Sequence, residues 1–182
     1  MRRGFAATST LDIATAANVS KRELYAEFGN KEALLGACIR ARAERMREPV
    51  RLAAVHDRAS LTRVLVTFGA TMLREASDPA VVGVFRLAVT EATRSPQVAR
   101  LLNETGRAAN RAALAEFLAQ AQSLGLVARG DAEALAARFL ALLWGDLMVS
   151  LLLRVAPPPT GAEAVRRARG ATEDFLRLYG NP

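Results

Sequence analysis

Residues Ser9 to Leu35 read STLDIATAANVSKRELYAEFGNKEALL, and the fold turns on how this stretch divides into helices. Ser9 stands at a helix-capping position with Asp12 three residues on, the spacing of a capping box. Ile13, Ala14 and Ala17 then share one helical face. Ala17-Asn18-Val19 breaks the pattern, and Asn tolerates the left-handed conformation that a tight turn needs. Ser20 caps again, with Glu23 as its box partner. Leu24 and Phe28 lie four apart and point to one side, and Gly29 supplies a left-handed stop. Asn30 then caps a helix that opens Lys31-Glu32-Ala33-Leu34. The spacing predicts two short helices about a tight turn, followed by the start of a third.

Two short helices joined this way make a helix-turn-helix, whose second helix would lie in the major groove of DNA. With Leu24 and Phe28 turned to the core, Arg22, Glu23 and Ala26 face away, and Lys21 and Tyr25 flank them. The first turn, Ser20-Lys21-Arg22-Glu23, suits DNA, because its free backbone amides and positive dipole end attract phosphate. Lys21 can meet a phosphate and Arg22 can fork onto guanine O6 and N7. Glu23 can accept from cytosine N4, and the Ala26 methyl can touch a thymine methyl. On spacing alone the same residues read equally well as a cap and turn between core helices.

A longer pattern separates these readings. Gly4-Phe5-Ala6-Ala7-Thr8-Ser9, Asp12-Ile13-Ala14, Ala17, Val19-Ser20-Lys21, Leu24-Tyr25, Phe28-Gly29 and Lys31-Glu32-Ala33-Leu34 together resemble the TetR family of bacterial repressors. The resemblance implies an all-α homodimer with a small DNA-binding head and a larger body that senses a ligand. It carries over Thr8 and Ser9 as phosphate contacts, Lys21, Arg22, Glu23 and Ala26 as groove contacts, and Tyr25 and Lys31 as further phosphate contacts. A small residue is common in the family at position 22, where this chain has Arg, and an aromatic or His at position 27, where it has Glu. The operator sequence therefore stays open. In the family a full helix precedes the Gly-Phe pair, whereas here only Met1-Arg2-Arg3 does. The expectation is a shortened head that dimerises through its body yet binds DNA poorly. A dimeric small-molecule-binding protein that no longer reads DNA is the alternative.

Composition points the same way. The 182 residues are about half hydrophobic, at 51%, and Ala and Leu dominate, which favours helices over strands. A formal charge of +7 fits a negatively charged partner such as nucleic acid. The excess is spread along the chain: residues 1–49 carry nine basic and six acidic side chains, and residues 50–182 carry sixteen and twelve. The only lysines are Lys21 and Lys31, a placement that fits phosphate contact, although a coding bias towards Arg explains the rest. One cysteine, Cys38, excludes an internal disulfide and suggests a reducing compartment. It reads as a small core hydrophobe beside Leu34, Leu35 and Ile39. The longest near-apolar run, Phe139 to Leu153, is too short for a bilayer and contains Asp146, so a cytoplasmic protein is expected.

The helix from Lys31 is expected to stop near Glu48, before Pro49, with Arg40, Arg42, Arg45 and Arg47 on a solvated face. This divides the chain into a head of residues 1–48 and a body of residues 49–182. Leu61, Leu65, Phe68 and Met72 make a helical stripe over 60–76, and Val81 to Phe85 is read as helix despite its β-branched content. A long helix starts at Arg94-Ser95-Pro96, with Gly106 as a kink, and ends at Gly125. Another opens at Asp131 and is apolar nearly all round from Leu135 to Leu153, which implies burial on more than one side. The last, Ala162 to Tyr179, carries a three-four seam of Val165, Ala168, Thr172, Phe175 and Tyr179. With Leu143, these residues are the expected dimer interface.

Phe68, Met72, Phe85, Phe117, Trp144 and Met148 are the large side chains expected to line a pocket for a mostly apolar small molecule. Asp146, the one acid in an apolar helix, is expected either to orient that ligand or to pair with an Arg. No cofactor or metal spacing is present, and His56, the only histidine, reads as a surface residue. With one His and one Cys, most nucleophile–base pairs cannot be built, so an enzyme is not expected.

Overall fold

The structure, a computed structural model, describes residues 20–94 and 96–181. The first helix of the motif and its turn, with Thr8 and Ser9, lie outside the described residues. Helix α1 spans Lys21–Phe28 and α2 spans Lys31–Arg51. They are followed by α3 (Arg58–Ala76), α4 (Pro79–Glu91) and α5 (Gln97–Leu101). A π-helical segment, Leu102–Ala108, joins α5 to α6 (Ala109–Ser123), and α7 (Ala132–Trp144), α8 (Leu147–Leu153) and α9 (Gly161–Tyr179) complete the chain. The described residues hold no strand beyond one isolated bridge between Val127 and Gly180.

The capping residues set most of these boundaries. Asp57 and Thr160 close capping boxes on α3 and α9, and Asn30, Asp78 and Asp131 each accept from a first-turn amide. Val81 to Phe85 is helical, as its neighbours implied, and Pro79 starts that helix where its missing N–H costs nothing. One boundary moves: α2 does not stop at Glu48 but continues through Pro49 to Arg51. Pro49 sits in the last turn, where one lost hydrogen bond is tolerated because Val50 and Met46 are buried against the body.

The core sits between α3, α9, α7 and α6, with α2 packed along α3 and α6. Phe68, Phe139 and Phe175 are fully buried, and their rings form a chain: Phe68 to Phe139 at 6.3 Å, then Phe139 to Phe175 edge-on at 5.5 Å. The seam on α9 finds its partner helix within the same protomer. Gly69 of α3 lets Ala168 approach so closely that a Cβ there would lie 3.0 Å from that of Ala168. Ala168, Thr172, Phe175 and Leu143 are all 0% exposed, so these four belong to the protomer core and not to a surface between protomers. Periodicity shows that a helix has a partner but not which chain supplies it. Tyr179 is half-buried against Phe175, and only Val165 of the expected interface is exposed.

The expected long helices are broken. The run from Asp131 bends by 52° at Gly145, whose φ of 46° with ψ of −123° suits a residue lacking Cβ. A Cβ there would also meet the Arg167 guanidinium at 3.0 Å. Arg167 donates from Nε to the Leu143 carbonyl at 2.9 Å and from Nη2 to Trp144 at 2.7 Å, capping α7 at the break. Arg86 donates to Leu151 and Leu152 at the end of α8, and Arg58 to Leu176 and Asn181 at the end of α9. Part of the basic excess in the body thus serves as helix C-caps, where cations meet orphan carbonyls and the negative dipole end. Asp146 pairs with Arg167 at 3.8 Å. Among the described residues no single helix is long and apolar enough to cross a membrane.

Candidate nucleic-acid interface and effector cavity

Helix α1 is held by its own ends. The Ser20 amide donates to Glu23 Oε2 at 2.8 Å, and the Glu23 amide donates to Ser20 Oγ at 3.1 Å. The backbone bond from Ser20, then the side-chain bond, holds the Glu23 carboxyl below its ordinary value. At the other end Gly29 donates to the Tyr25 carbonyl at 2.9 Å, and Asn30 Oδ1 accepts from the Ala33 amide at 2.8 Å. Arg22, Tyr25 and Ala26, spaced three and four apart, are exposed along one face, and Phe28 is half-buried. Glu23 is also exposed, but one carboxylate oxygen is committed to the Ser20 amide, so a base contact through it would compete with the cap. Lys31, the first residue of α2, is half-buried and lies in the wall of the cavity described next.

Between α2 and the body lies a cavity of about 870 Å³. Its walls come from α2 (Leu34 to Met46), the end of α3 (Met72, Ala76), α4 (Val81, Phe85), the π-helical segment (Leu102, Gly106), the start of α6 (Asn110) and the α7–α8 bend (Trp144, Met148). Of the six side chains expected in a pocket, Met72, Phe85, Trp144 and Met148 line it. Phe68 and Phe117 do not; both are buried in the core, Phe68 one turn along α3 from the wall residue Met72 and Phe117 two turns along α6 from Asn110, where the helices have passed from the cavity into packed core. Cys38 is likewise corrected: it is exposed and forms part of the cavity wall, because the apolar neighbours Leu34 and Ile39 face a space and not a packed core.

Sequence reasoning missed the whole α2 wall and Asn110. Asn110 is 4% exposed and sits in register with the buried Leu114, Phe117, Leu118 and Ala121 of α6. A polar residue at a core position was the available signal. Its Nδ2 donates to Met46 Sδ at 3.3 Å, and its Oδ1 is buried without a partner. Arg42, expected on a solvated face, ties α2 to the α3–α4 turn, with Nη1 3.2 Å from Asp78 Oδ2 and bonded to the Glu75 carbonyl. Arg45 also reaches Glu75, at 3.3 Å, and Arg47 donates to Thr105 of the π-helical segment at 3.4 Å. Burial opposes the charge on Asp78, but the Ala80 amide and Arg42 outweigh it and hold the carboxyl below its ordinary value. His56 is exposed, and no cluster of three or more His, Cys, Asp or Glu that could hold a metal occurs among the described residues.

A short exposed helix, carried on a longer helix that walls an apolar cavity in an all-α body, is the arrangement of a helical transcriptional regulator. Residues 1–38 match the profile "Bacterial regulatory proteins, tetR family", and residues 63–181 match "AefR-like transcriptional repressor, C-terminal domain". The chain belongs to the TetR family of transcriptional regulators. Its fold is similar to that of a TetR transcriptional regulator from Agrobacterium tumefaciens, with 29% identity over 97% of this chain and 86% of that one and a TM-score of 0.76. It is also similar to the flavonoid-responsive regulator FrrA, with 31% identity over 98% and 90% and a TM-score of 0.68. A Mesorhizobium loti protein assigned to the TetR family shares the fold at 24% identity over 99% and 90%, with a TM-score of 0.78. No curated protein sequence matches.

Proposed function

We propose that this chain is a ligand-responsive repressor that reads a palindromic operator as a homodimer and is released by a small, mostly apolar molecule in the cavity. The position of α2 carries this reading. Its first turn follows α1 across Gly29-Asn30, and its next turns, Leu34 to Met46, form one wall of the cavity. A molecule seated there touches the element that orients the recognition helix. Release follows when ligand and DNA favour different positions of α2. FrrA is a flavonoid-responsive regulator, and a flat, ring-based effector of that kind suits walls that include Phe85 and Trp144.

In this reading Arg22 and Ala26 meet base edges, and Ser20, Lys21, Tyr25 and Lys31, with Thr8 and Ser9, meet phosphates. The second copy docks on the exposed apolar residues around the α7–α8 bend, Leu142, Val149 and Leu153, with Val165 at the start of α9. A two-fold axis there places two copies of α1 on related half-sites. The test begins by selecting bound sequences from random duplex DNA. The enriched duplex is then titrated with and without hydrophobic compounds, with Trp144 fluorescence read in parallel. The expected outcome is an enriched palindrome and a compound that both shifts Trp144 and weakens DNA binding. Enrichment of nothing removes the operator reading, and compounds that bind without changing DNA affinity remove the release.

A further inference from the structure

Resting on the reading of the cavity as an effector site, we propose that the effector is a hydroxylated aromatic acid whose hydroxyl donates to the side-chain carbonyl of Asn110. The Asn110 amide is buried, and its one hydrogen bond runs from Nδ2 to the Met46 thioether at 3.3 Å. A thioether only accepts, so it fixes the amide with Nδ2 towards sulfur and leaves Oδ1 unserved. Turning the amide over sets oxygen against sulfur and orphans the NH2 group instead. Either way a buried polar atom lacks a partner among the described residues, a cost that proteins rarely carry without a ligand or water to meet it. Asn110 and Met46 both stand in the cavity wall, so the molecule that enters it meets the side chain that carries the orphaned atom.

The charge of the wall supplies the second group. Lys31, Arg42, Arg107 and Arg111 line the cavity, and no carboxylate does among the described residues. Glu75 and Asp78 offset Arg42, and Glu133 offsets Arg111 at 3.1 Å. Arg107 has only the Asn103 side-chain carbonyl, at 3.4 Å, and no carboxylate partner among the described residues. It lies three residues before Asn110, across the junction of the π-helical segment with α6, and both side chains line the cavity. A buried acceptor beside an uncompensated guanidinium selects a polar end bearing both a hydroxyl and an anion. Phe85, Trp144 and Met148 face the apolar remainder. A volume of about 870 Å³ accommodates a body of two or three rings.

The test uses the full chain and four defined probes. N-phenyl-1-naphthylamine, neutral and apolar, reports whether the cavity takes an apolar molecule. It is then displaced by 4′-hydroxybiphenyl-4-carboxylate, by biphenyl-4-carboxylate, which lacks the hydroxyl, and by 4-hydroxybiphenyl, which lacks the acid. The hydroxy acid is expected to displace the reporter about tenfold better than either relative. In Asn110→Leu the advantage of the hydroxyl falls to within about twofold, and in Arg107→Gln the advantage of the acid does. Reporter binding with equal displacement by all three compounds overturns the inference alone, since a water then serves Asn110 as well as a hydroxyl does. An Asn110→Leu protein that still prefers the hydroxyl overturns it too. If that variant does not fold, the three-compound comparison on the unaltered protein decides. A reporter that never binds removes the cavity reading and the inference with it.

Discussion

The surroundings of α1 and those of α9 show two ways of holding a helix. Both helices begin with a capping box, Ser20 with Glu23 and Thr160 with Glu163. Beyond that they differ. Helix α9 buries Ala164, Ala168, Ala171, Thr172, Phe175 and Leu176 against α3 and α7. Helix α1 has eight residues, exposes Arg22, Tyr25, Ala26 and Glu27, and among the described residues carries capping hydrogen bonds that reach no more than four residues in sequence. Among the described residues, long-range burial fixes the body, while local caps and the start of α2 set α1. The difference places the adjustable element at the proposed DNA surface and the rigid one behind the cavity.

The largest effect should come from the rigid side. Phe175→Ala empties the centre of the ring chain that joins Phe139 to Tyr179 and should cost about 3–5 kcal/mol in urea unfolding. A loss under about 1 kcal/mol would mean that α9 is not held as described. Val149→Glu sharpens the contrast, because Val149 is 57% exposed where Phe175 is 0%. Placing an unpaired charge in the proposed interface should weaken dimerisation by about 3 kcal/mol while the protomer keeps its helicity. Sedimentation showing an unchanged dimer would move the interface away from the α7–α8 bend.

These two residues also mark what was legible in the sequence. The 3.6-residue periodicity of 162–179 correctly gave an amphipathic helix, and the capping residues Ser20, Gly29, Asn30 and Asp131 marked helix ends where the structure has them, whereas the uncapped starts of α5, α6 and α8 left no such mark. The identity of the packing partner was not legible, so Phe175 read as an interface residue. The π-helical segment and the 52° bend at Gly145 were also hidden, although Gly106 and Gly145 marked both places. For the cavity, the large residues Met72, Phe85, Trp144 and Met148 were legible by size alone. Phe68 and Phe117 had the same signal and are core, because size does not distinguish a wall from a filling. The α2 contribution was missed because Leu34, Leu35 and Ile39 read as core, and a void leaves no trace in hydrophobicity.

Arg167→Met tests a smaller term in the rigid region. Arg167 caps the end of α7 with two hydrogen bonds and is about one-third exposed, so solvent already screens part of its charge. The variant should lose about 1–2 kcal/mol of body stability. It should also alter Trp144 fluorescence, since Trp144 supplies one of the accepting carbonyls. An unchanged Trp144 spectrum would show that the bend at Gly145 keeps its geometry without the guanidinium.

The finest comparison exchanges the same chemistry between the two regions. Ser20→Ala and Thr160→Ala each remove the side-chain half of a capping box, a loss worth about 1 kcal/mol of helix stability. In α9 that loss should appear as a lower global melting temperature, with DNA affinity unchanged. In α1 it should leave the melting temperature alone and weaken operator binding about fivefold, because the body core does not depend on α1. Acid separates the two in the same way. Backbone bonds from Ser20 and Thr160, followed by their side-chain bonds, hold the Glu23 and Glu163 carboxyls below their ordinary value, and the side-chain bond from Ser60 does the same for Asp57. A folded-state pKa below the unfolded one means that each cap contributes in full above about pH 5 and is lost as pH falls through the folded value. Thermal unfolding between about pH 5 and pH 3 should therefore show a fall in stability that is shallower in Thr160→Ala than in the unaltered protein. Ser20→Ala should follow the unaltered curve, since the box it breaks stabilises only α1. Matching shallow slopes in both variants would show that α1 unfolds with the body as one unit, and the division between a locally held helix and a core-held one would be wrong.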